Sequence, residues 1–285
     1  MFEADIHQGQ VTTHILHSVV EKADPDQLLR YLPAVDQMDY KSHTQPTGWG
    51  RQHQPKFYWI FKNIDFKQWY YTNDPMALWV SGPAECHISD ASSCIVDLVK
   101  GKGSQTQHLV LYFFCSPAKA PISITFVSAI IHQLLCHLPE LKGKVTTVFL
   151  RTLLGTILGG EPLSDPERSR FETNDSADAI VEKILKPSTS GYWGALREAM
   201  DIEREKELSL IIDGLDKIEH QKSEFIQELC ALIENLGKRP SPTRILLTSR
   251  PQPDIKEILG HLPSIEYDRE RKGLVSLISC SQEGS

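Results

Sequence analysis

Between Trp79 and Asp90 the chain reads Trp-Val-Ser-Gly-Pro-Ala-Glu-Cys-His-Ile-Ser-Asp, with Gly82 separated from the hydroxyl of Ser89 by six residues. A strand–loop–helix segment of the form G-x-x-x-x-G-K-[ST] cradles phosphates. Its backbone N–H groups surround the anion, its lysine reaches the β- and γ-phosphates, and its hydroxyl binds Mg²⁺. Gly82 fills the first glycine position and Ser89 the hydroxyl position, whereas His87 stands at the second glycine and Ile88 at the lysine. A second chemistry-bearing segment is Leu208-Ser209-Leu210-Ile211-Ile212-Asp213-Gly214-Leu215-Asp216-Lys217. An acid closing an apolar strand, here Asp213, can hold Mg²⁺ opposite a phosphate loop. The other reading is a strand followed by an ordinary Asp-Gly turn. Arg250 follows a further β-type run, Arg244–Thr248, where a guanidinium can face a terminal phosphate or lie solvated at the surface.

Such groups work only if the fold brings them to one edge. Short β-type runs occur at Ala77–Ser81, His108–Cys115, Leu208–Ile212, Arg244–Thr248 and Ser264–Tyr267. Segments with helical spacing lie between them. Ala91, Ile95 and Leu98 share one face, as do Val127, Ile131, Leu134 and Leu138, and Phe225, Leu229, Leu232 and Leu236. Near-continuous apolar strands alternating with amphipathic helices predict a parallel sheet covered on both faces, a doubly wound α/β fold. In that architecture ligands meet the carboxyl ends of the strands, where Gly82, Asp213 and Arg250 fall. The first 55 residues are polar, with a short helix expected at Pro25–Tyr31 behind Asp24 as N-cap. A linker is expected over Ser42–Pro55, and the packed body starts at the aromatic run Lys56–Phe61.

Composition narrows the classes. The 285 residues are 40% hydrophobic and 24% charged, ordinary globular values. With 37 acidic against 30 basic side chains the net charge is −7, so no basic field points to nucleic acid. No apolar run approaches the roughly 20 residues of a membrane span, and the acidic start Met1–Asp5 lacks a signal-peptide apolar region. The expectation is a soluble cytoplasmic protein. The six cysteines, at 86, 94, 115, 136, 230 and 280, form no C-x-x-C pair and read as reduced structural thiols. His7, His14, His17, His43 and His53 show no metal-ligand spacing and read as solvated.

Three edge motifs in this order resemble the nucleotide-binding domain of fungal NACHT-type STAND NTPases, the group of nephrocystin-3-like N-terminal domains. The similarity rests on Phe57–Phe61 with Phe66–Trp69, Ala77–Gly82, Leu111–Phe114 with Ile130–Leu135, Trp193–Leu196, Ile211–Asp216 and Ile245–Pro251. It spans roughly residues 55–260. The resemblance implies a P-loop NTPase-like sheet of ASCE type, with about five mainly parallel strands. The acid-bearing strand of that sheet is not adjacent to the phosphate-loop strand. It further implies a Walker A loop at Gly82–Ser89 and a Walker B acid at Asp213. Mg²⁺ would be held by Asp213 and Ser89, and Mg-ATP or Mg-GTP would be the ligand. The expected organisation is a polar segment over 1–55, a NACHT-like domain over 56–268 and a tail without ordered structure over 269–285.

This chain departs from the family at three positions. Ile88 offers no donor in place of the loop lysine. Two lost charge-assisted hydrogen bonds amount to roughly 3–6 kcal/mol, taking a micromolar site of about −8 kcal/mol to millimolar or weaker. His87 brings a Cβ and an imidazole where backbone must approach phosphate. Lys217 stands where the family usually has Glu, leaving Asp216 as the candidate to polarise water. Lys217 itself reads as a solvated loop lysine, with one sharper alternative: an ammonium near the γ-phosphate that replaces the charge missing at position 88. No internal repeat of 30–45 residues is present, and the expectation is a switch module alone. Two functions follow. One is a non-catalytic adaptor or decoy that docks on NLR-like relatives or associates with itself. The alternative is a weak ATP- or GTP-binding switch with little or no hydrolysis, using Gly82, Ser89, Asp213, Arg250 and Lys217.

Overall fold

The structure, a computed structural model, describes residues 16–32, 57–102, 108–116, 121–158, 176–185 and 189–267. The expected linker and tail, His7, His14, His43, His53 and Cys280 lie outside the described residues.

In chain order the labelled elements begin with α1 (Pro25–Tyr31), α2 (Tyr58–Phe61), α3 (Ile64–Tyr71), β1 (Met76–Ser81), α4 (Ile88–Lys100) and β2 (His108–Phe114). The middle of the chain is helical, with α5 (Ile122–His137), α6 (Lys142–Leu158), α7 (Ala177–Ile184) and α8 (Thr189–Met200). Then follow β3 (Glu207–Asp213), α9 (Lys222–Leu236), β4 (Thr243–Ser249), α10 (Pro253–Leu259) and β5 (Ser264–Glu266). All five expected strands are present, each within about a residue of the run read from sequence. The chain divides into two compact units, one of residues 38–117, 208–227 and 242–285, the other of 1–37, 118–207 and 228–241.

The first unit carries a five-stranded sheet in the order β2-β3-β4-β1-β5. β1 pairs in parallel with β4, from Met76 opposite Arg244 to Ser81 opposite Ser249, and β4 pairs in parallel with β3. One strand therefore separates the acid-bearing β3 from the loop-bearing β1, as expected of the ASCE arrangement. β5 adds to the other edge of β1, in register from Trp79 opposite Ser264. Because side chains alternate along a strand, Leu78 and Val80 share a face with Val110, Tyr112, Phe114, Ile211, Leu246 and Ile265. Against that face lie Ala91, Cys94, Ile95 and Val99 of α4 and the aromatics Phe57, Phe66 and Trp69. The alternate strand residues Leu111, Phe113, Leu210, Ile212 and Leu247 are also at most 1% exposed. The strands are thus apolar on both faces, which is why they read as continuous hydrophobic runs. The α/β, doubly wound reading of the sequence holds.

The other unit is helical. Asp24 caps α1 by accepting the Asp26 N–H at 3.0 Å, with Pro25 at the first helical position, as its sequence suggests. Phe126 of α5 lies against Trp193 of α8 at 5.1 Å between ring centroids. Phe149 of α6 meets Tyr192 of α8 edge-on at 5.9 Å, and the buried Tyr192 hydroxyl donates to the Leu185 carbonyl at 2.7 Å. Among the described residues no single helix is long and apolar enough to cross a membrane.

Candidate functional site

The parallel register brings the carboxyl ends of β1, β3 and β4 to one edge, and backbone pairing runs one residue beyond the strands. The Gly82 N–H donates to the Ser249 carbonyl at 3.3 Å, and Gly214 N–H to that of Thr248 at 3.0 Å. At the other side of β1, Tyr267 N–H donates to the Ser81 carbonyl at 2.9 Å. The loops that leave these strands are therefore fixed at their roots. Gly82 is required by crowding: a Cβ there would lie 2.9 Å from Tyr267 Cβ and 3.1 Å from Ile88 Cδ1.

From Gly82 the chain passes through a 3₁₀ turn at Ala84–Cys86 to His87, which adopts φ 51° and ψ 44°, and α4 begins at Ile88. The left-handed backbone that a glycine would supply here is thus kept by a histidine, at a strain of about 1–2 kcal/mol. Its exposed imidazole contacts Asp90 in the first turn of α4, Nδ1 to Oδ2 at 3.4 Å. Ile88 is half-buried and folds back toward Gly82. No ammonium extends from position 88 into the loop.

Asp213, 1% exposed at the end of β3, is gripped from three sides. Its Oδ1 accepts from Thr248 Oγ1 at 2.6 Å and from Ser92 Oγ at 2.9 Å. Its Oδ2 accepts from Lys217 Nζ at 3.2 Å, and the same ammonium donates to Ser89 Oγ at 3.0 Å. The backbone explains how Lys217 arrives there. Gly214 adopts φ 78°, a left-handed turn that sends the chain into the 3₁₀ turn Leu215–Lys217. The lysine stem then folds over Gly214, where a Cβ would fall 2.9 Å from Cδ, Cε and Nζ. Lys217 is therefore no solvated loop lysine: its side chain is 28% exposed and held against Ser89 and Asp213.

Asp216, its side chain 8% exposed, accepts the Arg250 N–H at 2.9 Å through Oδ1 and faces Arg250 Nε at 3.4 Å through Oδ2. Arg250 is mostly exposed. Gly82, His87, Ile88, Ser89, Asp213, Asp216, Lys217 and Arg250 all border one cleft of about 200 Å³, smaller than the roughly 300–1,000 Å³ usual for sites that enclose a small-molecule ligand. In its lining, Lys217 and Arg250 face three carboxylates, Asp90, Asp213 and Asp216. An anion thus meets no excess of positive charge. Burial, followed by the charge of Asp213, pushes the neighbouring Cys115 thiol far above its ordinary range, against a smaller opposite effect from Lys217. A thiol so held stays neutral and unreactive.

The residues singled out from sequence border one cleft, and two that hold Asp213 were missed. Ser92 and Thr248 hold Asp213, and Ser92 had a signal, since it lies three residues beyond Ser89 on the same side of α4. The divalent cation implied by the family resemblance does not fit beside Lys217. The ammonium lies between the hydroxyl and the carboxylate that would bind it, and Asp213 Oδ1 is already committed to two hydroxyls. Among the described residues no group of three His, Cys, Asp or Glu side chains is arranged to hold a metal.

The model of the family described as "Nephrocystin 3, N-terminal" matches residues 56–154. That match runs from the aromatic segment through β1, the Gly82–Ser89 loop, α4, β2 and α5 into α6, and it stops before Asp213. No curated protein matches the chain.

Proposed function

We propose that the chain is a NACHT-type nucleotide-binding module that no longer hydrolyses nucleotide and acts by docking on NLR-like relatives, as an adaptor or decoy. One observation carries the reading. Asp216, the acid left to polarise a water, has both carboxylate oxygens engaged by Arg250. With one oxygen accepting a backbone N–H and the other facing the guanidinium, neither oxygen is left turned toward a water in the cleft, and a general base must lie within hydrogen-bond reach of the proton it takes. Ile88 adds to this, since a phosphate in the loop would meet an apolar side chain where charge is needed. The match to the nephrocystin 3 N-terminal family supports kinship with the NACHT class over the loop-bearing part of the chain.

The test has two arms. Incubation with Mg-ATP or Mg-GTP is expected to release no phosphate above a no-protein blank. Mixing with the purified NACHT domain of a full-length relative is expected to yield a complex by sizing chromatography with light scattering. Measurable turnover removes the non-catalytic part, and separate elution of the two proteins removes the docking part.

The second reading, a weak nucleotide-binding switch, is favoured by the backbone of the loop. His87 keeps the left-handed turn, and the first residues of α4, Ile88, Ser89 and Asp90, border the cleft, so the positive end of the helix lies there. Thermal shift with ATP, ADP and GTP separates the readings: a specific rise at sub-millimolar nucleotide selects the switch.

A further inference from the structure

We propose that Lys217 is a tethered cation that takes the place of the divalent metal, so that this strand edge is charge-compensated without Mg²⁺ and excludes it. This goes beyond the docking role and holds whether or not a partner binds. The argument starts from position. Lys217 Nζ lies 3.0 Å from Ser89 Oγ and 3.2 Å from Asp213 Oδ2, the two groups that a P-loop site would turn toward its metal. These are hydrogen-bond lengths of an ammonium, longer than the roughly 2.0–2.1 Å that Mg²⁺ requires of its oxygen ligands. A metal entering here must evict the lysine.

The loop is also shaped to deliver that lysine. Gly214 supplies both the left-handed turn and the empty space over which the stem folds. Lys217 N–H closes the turn onto the Gly214 carbonyl at 2.9 Å. Asp213 is 1% exposed, and a buried carboxylate deprived of its cation is strongly destabilising. Removing the ammonium leaves Ser89, Asp213 and a space between them that a divalent ion can enter. The lysine and the metal are thus alternatives for one position. In an ordinary site of this kind the metal arrives with the nucleotide and leaves with it. A covalently attached cation cannot leave, so this edge stays in one charge state.

The experiment compares melting temperatures of the full chain in EDTA, Mg²⁺ and Mn²⁺. The wild type is expected to melt at the same temperature in all three, and to bind no Mn²⁺ at this site by electron paramagnetic resonance. Lys217→Ala is expected to melt about 5 °C lower in EDTA and to regain most of that loss with either metal. The double variant Asp213→Asn, Lys217→Ala is expected to lose the response to metal. Should Lys217→Ala be unfolded in EDTA, dialysis into Mn²⁺ reads the same quantity, recovered folding supporting the proposal and continued failure overturning it. The proposal also falls if metal stabilises the wild type, if Lys217→Ala melts with the wild type in EDTA, or if its deficit is unchanged by metal. None of these readouts depends on nucleotide turnover or on a partner, so failure here is distinguishable from failure of the docking reading.

Discussion

Asp216 and Arg250 clamp one another across the ends of two neighbouring strands. Asp216 follows β3 and Arg250 follows β4, with the carboxylate 2.9 Å from the Arg250 backbone nitrogen and 3.4 Å from its Nε. The backbone bond is the better protected half, because the guanidinium side chain is 60% exposed and the ion pair is screened by water. Asp216→Asn, which keeps an acceptor for the N–H, is expected to lower stability by no more than about 1 kcal/mol. Asp216→Ala removes that acceptor too and is expected to lower it by about 1–2 kcal/mol. Urea midpoints of the two variants decide this. Equal losses would show that the ion pair, and not the backbone bond, joins the two loops.

Gly214→Ala meets two penalties at once. At φ 78° an alanine is strained by about 1–2 kcal/mol. Its Cβ would also collide with the end of the Lys217 side chain at 2.9 Å. The lysine is flexible and can swing away, but only by leaving Asp213 and Ser89. The expected loss is about 2–4 kcal/mol in urea denaturation. The same substitution in a Lys217→Ala background should show the backbone part alone, about 1–2 kcal/mol. Additive losses would mean that the lysine does not occupy the position found here.

His87→Gly is expected to stabilise the chain by about 1 kcal/mol, because glycine adopts φ 51° without strain. The lost contact with Asp90 subtracts little, since His87 is 63% exposed. Adding Ile88→Lys restores the residue types of a phosphate loop, yet Lys217 still lies against Asp213. Mg-ATP affinity of this double variant should therefore rise at least tenfold, about 1.4 kcal/mol, when Lys217→Glu is added. Calorimetry of the double and triple variants is the measurement, and equal affinities would remove Lys217 as the obstacle.

The sheet was legible in sequence because its strands are buried on both faces and so appear as unbroken apolar runs, from Leu109–Phe114 in β2 to Ile245–Leu247 in β4. Helix α6 was not read, although Val145, Phe149, Leu150, Leu153 and Leu154 recur at helical spacing and are fully buried. Gly143, Thr146, Thr147, Thr152, Gly155 and Thr156 interrupt that pattern with poor helix formers, and tertiary packing overrides them. In the site, Gly82, Ser89, Asp213, Asp216 and Arg250 were found because each stands next to a strand or helix end. Ser92 and Thr248 were not: Ser92 was marked only by its spacing from Ser89 on one side of α4, and a threonine inside a strand carries no local mark of the carboxylate it holds. The placement of Lys217 depends on the φ of Gly214, a torsion that an Asp-Gly pair permits without dictating.

The helical unit carries a pH prediction. Burial pushes the Tyr192 hydroxyl from an ordinary 10 up to about 12. Its O–H donates to the Leu185 carbonyl at 2.7 Å, a bond that the phenolate cannot make. Between these two values the folded chain keeps a proton that the unfolded chain has released, so the folded state binds more protons and stability falls as pH rises. The contribution is fully present below pH 10 and is lost as pH climbs through about 12. Two pK units correspond to about 3 kcal/mol at most. Tyr70 and Cys230 are raised as well, also chiefly by burial, so the decline in the wild type has several sources. Tyr192→Phe isolates one of them. It should lower stability at neutral pH by about 1 kcal/mol through the lost hydrogen bond, and flatten the decline above pH 10. Urea denaturation of wild type and Tyr192→Phe across that alkaline range is the measurement. Parallel curves would mean that the Tyr192 hydroxyl titrates as freely in the folded chain as in the unfolded one.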